Sequence, residues 1–148
     1  MRLSTKGRYA VMAMADLARH GRDRAVRLCE IAERQEISPA YLEQLFARLR
    51  RAGLVVGARG PGGGYRLARS AGETSIVSIV AAADEPMEAV RCEEGRGCMA
   101  KGERCLTHDL WDALGRRIES YLASVSLEDV IEGRVDRVDT PPLAPVAA

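Results

Sequence analysis

The sequence predicts a mainly α fold carrying one small β-hairpin, and three observations lead there. Apolar residues recur at helical spacing along most of the chain. One pair of short β-type runs flanks the glycine-rich turn at 60–64. A charged, cysteine-bearing segment at 92–108, too glycine-rich to pack a core, separates the earlier elements from a long final helix. With 148 residues the chain is long enough to bury a core, as one compact domain or a domain with an appendage.

Tyr9 to Arg19 is apolar nearly all round, through Val11, Met12, Met14, Leu17 and Ala18, and reads as a buried first helix. His20-Gly21 ends it, and Arg22-Asp23-Arg24 forms a loop. Leu28, Ile31 and Ala32 fall at i, i+3 and i+4, predicting a short second helix that ends near Gln35. Cys29 is assigned to the apolar stripe of that helix as plain core. Ser38-Pro39 is a strong helix start, serine as N-cap and proline at the first helical position. Leu42, Leu45, Phe46 and Leu49 then make a buried stripe, and Gly53 supplies the stop. Only Glu36-Ile37 separates the two helices, so they form a helix-turn-helix.

Leu54 to Ala58 reads as a strand, Gly60-Pro61-Gly62-Gly63-Gly64 as a turn, and Tyr65-Arg66-Leu67 as the return strand. A hairpin directly after a helix-turn-helix is a winged helix. Ser75 to Val80 opens a further apolar helix, ended by Asp84-Glu85-Pro86. The longest element runs from Thr107 to Ser124, where Trp111, Leu114, Ile118, Tyr121 or Leu122, and Val125 repeat at alternating steps of three and four. Asp112, Arg116, Glu119 and Ser120 occupy the opposite face. That seam suits a helix packing along another; a second subunit is the expected partner, and packing back on its own domain is the alternative. Ser126 caps a last short helix, Leu127 to Glu132, and the Pro/Ala-rich tail from Arg134 is expected to be disordered. The expected organisation is thus 1–83 for the winged unit, 84–106 for the cysteine loop, 107–132 for dimerisation helices and 133–148 for the tail.

The net charge of +1 conceals an asymmetry: residues 1–70 carry 14 Lys+Arg against 6 Asp+Glu, and residues 71–148 carry 8 against 15. A basic first half suits a polyanion. The opening Met1 to Ala15 mimics an export signal, but its apolar stretch is of minimal length and cleavage would remove the first helix. No run approaches the ~18 apolar residues of a membrane span. A reducing cytoplasm is therefore the expected setting, where clustered thiols bind metal more often than they pair.

In the helix starting at Pro39, the buried stripe turns Ala40, Tyr41, Glu43, Gln44, Arg48 and Arg51 outward. The N-terminal turn of such a helix reads base edges in double-stranded DNA. Gln44 can bond adenine bidentately, Glu43 can accept from cytosine, and Ser38 or Tyr41 can hold phosphate or a base edge. Arg59, at the start of the glycine turn, can enter a narrow minor groove, while Gly62, Gly63 and Gly64 let the backbone come close. Gly60, Arg2, Lys6, Arg8 and Arg50 complete the expected DNA-facing set. A nucleotide-cradling loop is excluded because the turn lacks a Gly-Lys-Ser/Thr ending.

Cys92-x5-Cys98-x6-Cys105-x2-His108 is the candidate metal set. Thiols used structurally sit among apolar neighbours, and these do not. By ligand type a zinc ion fits as well as a [2Fe–2S] centre, with [4Fe–4S] a further alternative; the spacing lacks the usual paired C-x2-C knuckles of zinc sites. His20 ends a helix and needs no functional explanation. No paired acids, activated nucleophile or nucleotide loop point to an enzyme.

Several long motifs resemble a bacterial family of winged-helix repressors that sense iron–sulfur clusters, its cluster-assembly regulators in particular. They are Met1-Arg2-Leu3-Ser4-Thr5-Lys6-Gly7-Arg8-Tyr9-Ala10-Val11, Ile37-Ser38 with Tyr41 to Phe46, Arg59 to Tyr65, Arg91-Cys92 and Cys105 to Trp111. The likeness covers about residues 1–132. It implies a homodimer, a [2Fe–2S] cluster on Cys92, Cys98, Cys105 and His108, delivery of that cluster by the assembly machinery, and repression of assembly genes by the holo form. It also implies that Glu43 restricts the apo form's choice of operator and that Ser38, Tyr41, Gln44 and Arg59 touch DNA. Ala40 departs from an expected serine, and six residues separate Cys98 from Cys105 where five are usual. A nitric-oxide or iron sensor on the same scaffold is the nearest alternative, and a cluster carrier or protein-interaction module is an alternative of a different class.

Overall fold

In the computed structural model, residues 5–83, 99 and 102–135 are described. The expected stop at Asp84-Glu85-Pro86 lies outside them, as does the tail from residue 136. Helix α1 spans Thr5–His20, four residues longer at its start than the apolar run. The extra turn is polar outside, at Lys6 and Arg8, while Gly7 and Ala10 continue the buried stripe. Along α1, Ala10, Ala13, Met14 and Leu17 are fully buried, which makes this helix the centre of the core.

Helices α2 (Leu28–Gln35) and α3 (Pro39–Arg51) pack as the predicted helix-turn-helix. The turn works because Glu36 adopts the left-handed conformation, φ 54°, and Ile37 donates its N–H to Ala32 O at 3.1 Å. Ile31 and Ala32 are the buried residues of α2. Cys29 is exposed, contrary to the core assignment. It lies about 100° round the helix from Leu28, so it falls off the stripe that faces α1 and α3. In α3, Leu42, Leu45, Phe46 and Leu49 are buried as expected. Burying a phenylalanine such as Phe46 stabilises the fold by about 1.5–3 kcal/mol.

The wing is an antiparallel pair, β1 (Val55–Ala58) and β2 (Gly64–Leu67), in the register Val55 opposite Leu67 and Ala58 opposite Gly64. It does not hang free. Val26 and Tyr65 exchange backbone hydrogen bonds of 2.9 and 2.8 Å, and the Tyr65 ring packs on Phe46 with centroids 4.9 Å apart. A short 3-10 turn at Ala71–Glu73, capped by Ser70, leads to α4 (Ile76–Ala82), whose N-cap is Ser75.

Helix α5 (His108–Ser124) and the short α6 (Leu127–Ile131) close the described chain. Their junction is tied back to the first half of the protein: Ile76 N–H donates to Val125 O at 2.9 Å, and Leu127 N–H to Thr74 O at 2.8 Å. Val125 is therefore buried in this chain's own core, beside Leu127, and is not available to a second subunit; this corrects its place in the expected dimer seam. Arg134 and Val135, which the sequence placed in the tail, are held here: Arg134 donates to the Asp129 carboxylate at 3.2 and 3.3 Å, and Val135 packs against the core.

Candidate nucleic-acid interface and metal centre

Ser38 caps α3 by accepting from Tyr41 N–H at 3.5 Å, and Pro39 fixes the first turn. With the apolar stripe turned inward, Ser38, Ala40, Glu43, Gln44, Ala47, Arg50 and Arg51 are exposed along the other side. Glu43 and Gln44 are adjacent on that face, within the first two turns. Two residues placed outward by periodicity turn elsewhere. Tyr41 is half-buried, its ring edge-on to Tyr9 of α1 with centroids 5.8 Å apart. Arg48 swings back so that a guanidinium nitrogen donates to Ala83 O at 3.1 Å, at the end of α4. The stripe tells which residues are covered by the core, but long side chains at its margin reach neighbouring elements.

Arg59 is exposed directly after β1, at the tip of the wing. The glycines beside it answer first to the fold. Gly60 and Gly62 have φ of 95° and 76°, a region that favours glycine. At Gly64 a Cβ would lie 2.3 Å from Val26 O, because the bridge that pins the wing passes there. Gly63 would meet Ala58 O at 2.7 Å. These residues are thus required by the turn and its anchor, without any ligand. Lys6 and Arg8 are exposed on the first turns of α1, and Arg2 lies outside the described residues.

Of the four expected metal ligands, Cys92 and Cys98 lie outside the described residues, and Cys105 and His108 stand one turn apart at the start of α5. His108 N–H donates to Cys105 O at 3.0 Å, which holds both residues against the helix end, and both are half-buried. Cys105 Sγ lies 3.5 Å from Thr107 Oγ1. Among the described residues of this loop, Gly102 N–H donates to Met99 O at 2.9 Å, Met99 N–H donates to Glu103 O at 3.1 Å, and Gly102 has φ 81°. The partial positive charge of a helix N-terminus favours anionic ligand groups, so this end suits thiolate ligation. Among the described residues no three potential ligands come together; Cys105 and His108 are the part of the expected donor set that is described, and by type they would supply one sulfur and one nitrogen.

None of α5 is buried. Leu110, Trp111 and Leu114 are 60%, 39% and 36% exposed, while Ile118, Tyr121 and Leu122 are half-buried, the last two against the core. Leu110 and the fully exposed Leu106 were absent from the expected seam. The i, i+4 series Leu110–Leu114–Ile118 was the available signal. On the polar side of α5, Asp112 and Arg116 form an i, i+4 ion pair at 2.7 Å.

Sequence reasoning also passed over Asp16. It is 4% exposed, and Arg34 and Gln35 hydrogen-bond its carboxylate. Burial alone would push this carboxyl up; hydrogen bonds from Arg34 and Gln35 with the charges of Arg34 and His20 outweigh that and hold it below its ordinary value. The signal was its place on the buried side of α1, between Ala13 and Leu17.

No helix among the described residues is long and apolar enough to cross a membrane. Residues 3–133 match the Rrf2 family, described as an iron-dependent transcriptional regulator. Over 134 residues the chain is 52% identical to the HTH-type transcriptional regulator IscR of Xenorhabdus nematophila and 51% identical to that of Photorhabdus laumondii, covering 90% of this chain and 81% of each relative. The solved structure of T. potens IscR is similar with a TM-score of 0.74 at 36% identity, over 96% of this chain and 94% of that one. CymR, the global cysteine regulator of B. subtilis, gives a TM-score of 0.76 at 31% identity, over 90% and 98%. These relatives are regulators rather than enzymes, and their fold is the winged helix described above. The chain belongs to the Rrf2 family of transcriptional regulators, as an IscR-type, DNA-binding member.

Proposed function

We propose that the protein is a homodimeric, iron–sulfur-cluster-responsive regulator that represses cluster-assembly genes in its holo form. One arrangement carries the reading. Cys105 and His108 stand at the first turn of a helix whose apolar flank is open there and whose far end is built into the core around α1 and α4. Ligation at that turn acts on a lever rooted in the DNA-binding unit. Cys92 and Cys98 complete the donor set, and the assembly machinery supplies the cluster in the cytoplasm. When bound, a [2Fe–2S] centre supplies a crosslink between the cysteine loop and α5, and a charge that depends on redox state.

The chain's own residues do the rest. Cys105 and His108 hold the start of α5. Trp111 and Leu114, with Leu110 beside them, pair two subunits, so that two copies of α3 meet successive major grooves. Ser38 and Gln44 contact phosphate or bases, Glu43 selects cytosine and disfavours other pairs, and Arg59, Gly60 and Arg50 hold the flanking backbone. Lys6, Arg8 and Arg2 add sequence-independent attraction.

Anaerobic purification tests this directly. The protein should be red-brown, hold two irons and two sulfides per chain, and change its operator affinity when they are removed. Colourless protein with stoichiometric zinc, or operator affinity indifferent to iron removal, would overturn the proposal.

A further inference from the structure

Asp16 presents a problem that stability does not solve. It sits in the middle of the most buried helix of the protein, with its side chain 1% exposed. A carboxylate placed there must be fully compensated. Arg34 Nε donates to both carboxylate oxygens, at 3.0 and 3.2 Å, and a second Arg34 nitrogen donates to Oδ1 at 2.7 Å. Gln35 Nε2 donates to Oδ2 at 2.8 Å. Compensation is good, yet packed apolar residues in place of such a pair are as a rule equally or more stabilising. What the pair adds over an apolar contact is direction: a planar fork on a carboxylate fixes both distance and angle.

All four hydrogen bonds come from the last two residues of α2. After them come only Glu36, in its left-handed conformation, and Ile37, whose N–H is bonded to Ala32 O; Ser38 then starts α3. The direction fixed at Arg34 and Gln35 is therefore passed through two constrained residues to the first turn of α3. Ser38 caps that turn, and Glu43 and Gln44 lie one turn further along on the exposed side of the same helix. We infer that Asp16 is a positioning residue for operator recognition: by clamping Arg34 and Gln35 it sets the angle at which α3 meets DNA. The inference rests on the proposed role of α3 in reading DNA, and it assigns specificity to a residue that touches none.

The test uses the full-length protein and a duplex that the wild-type protein has selected from a random-sequence library, with a scrambled duplex as reference. Asp16→Leu combined with Arg34→Leu replaces the pair by apolar side chains. This variant should melt no lower than wild type, while its preference for the selected duplex over the scrambled one falls by roughly tenfold or more. Affinity for the scrambled duplex, set by surface arginines, should stay unchanged. Arg34→Lys keeps the charge and loses the fork; it should fold and lose preference in the same direction. A folded double variant with wild-type preference overturns the inference, and if the double variant fails to fold, a wild-type preference in Arg34→Lys does so. Failure of the underlying reading looks different: the wild-type protein itself would enrich no duplex from the library.

Discussion

Helices α3 and α5 are both amphipathic, and the protein treats them in opposite ways. In 13 residues α3 buries Leu42, Leu45, Phe46 and Leu49 under its own chain; in 17 residues α5 buries none. The apolar side of α3 meets α1, α2 and β1, while that of α5 is covered only toward its end, where Tyr121 and Leu122 reach the core. An apolar stripe states that a face needs cover and is silent about which chain provides it. Here one helix is finished by its own fold, and the other leaves Leu110, Trp111 and Leu114 of its first half facing outward.

The largest expected effect lies on the finished side. Phe46→Ala removes a fully buried ring that also supports Tyr65 of the wing, and should cost about 3–5 kcal/mol in urea unfolding. Trp111→Glu combined with Leu114→Glu should do the reverse. The unfolding midpoint at low protein concentration should hardly move, but sedimentation should show monomers. Operator affinity should then drop on the order of a hundredfold, because two half-sites no longer bind as one. If this variant still sediments as a dimer, the outward face of α5 is not the subunit interface and the contrast between the two helices fails.

That contrast also explains what could be read in advance. The helix-turn-helix and its wing were legible because Ser38-Pro39, Gly53 and the glycine turn are local signals, each tied to a backbone geometry that needs no neighbour. The extent of α5 was legible from its apolar repeat at steps of three and four. Val125 was not: its spacing is shared by a dimer seam and by a core position, and only the bond from Ile76 N–H to its carbonyl decides between them. Asp16 was hidden because its partners, Arg34 and Gln35, lie on another helix. Cys29 was misassigned because a short helix leaves its stripe edges poorly defined, and Arg48 because its long side chain reaches the Ala83 carbonyl across elements.

Smaller effects should separate DNA readers from DNA holders on the finished side. Glu43→Ala should leave melting unchanged and relax choice at one operator position, by about 1–3 kcal/mol of discrimination, most visibly in iron-free protein. Arg59→Ala should instead weaken all duplexes alike and lower the salt slope by about one. Equal loss on every duplex for Glu43→Ala would remove it from the specificity set.

The smallest effect concerns how each helix begins. At the start of α2 the protein supplies its own anion: Glu30 accepts from Arg27 N–H at 2.9 Å and pairs with Arg24 at 2.8 Å. Those hydrogen bonds, Arg24 first, hold the Glu30 carboxyl down at about 2 against an ordinary 4.5. A depressed carboxyl adds stability above its unfolded value and loses it as pH falls through the folded one. The melting difference between wild type and Glu30→Gln should therefore be full at neutral pH and shrink between about pH 4.5 and 2. At the start of α5, Thr107 makes no side-chain cap bond, and Cys105 and His108 stand where a cap would act. On the proposed function the ordering group there comes from outside the chain, so iron removal at neutral pH should speed hydrogen exchange at the amides of 108–112 and leave those of 28–31 alone. Acid between about pH 4.5 and 2 should loosen the first turn of α2 in iron-free protein. Exchange that rises equally at both helix starts when iron is removed would mean that α5 is held by its own residues, as α2 is, and that Cys105 and His108 do not act as its cap.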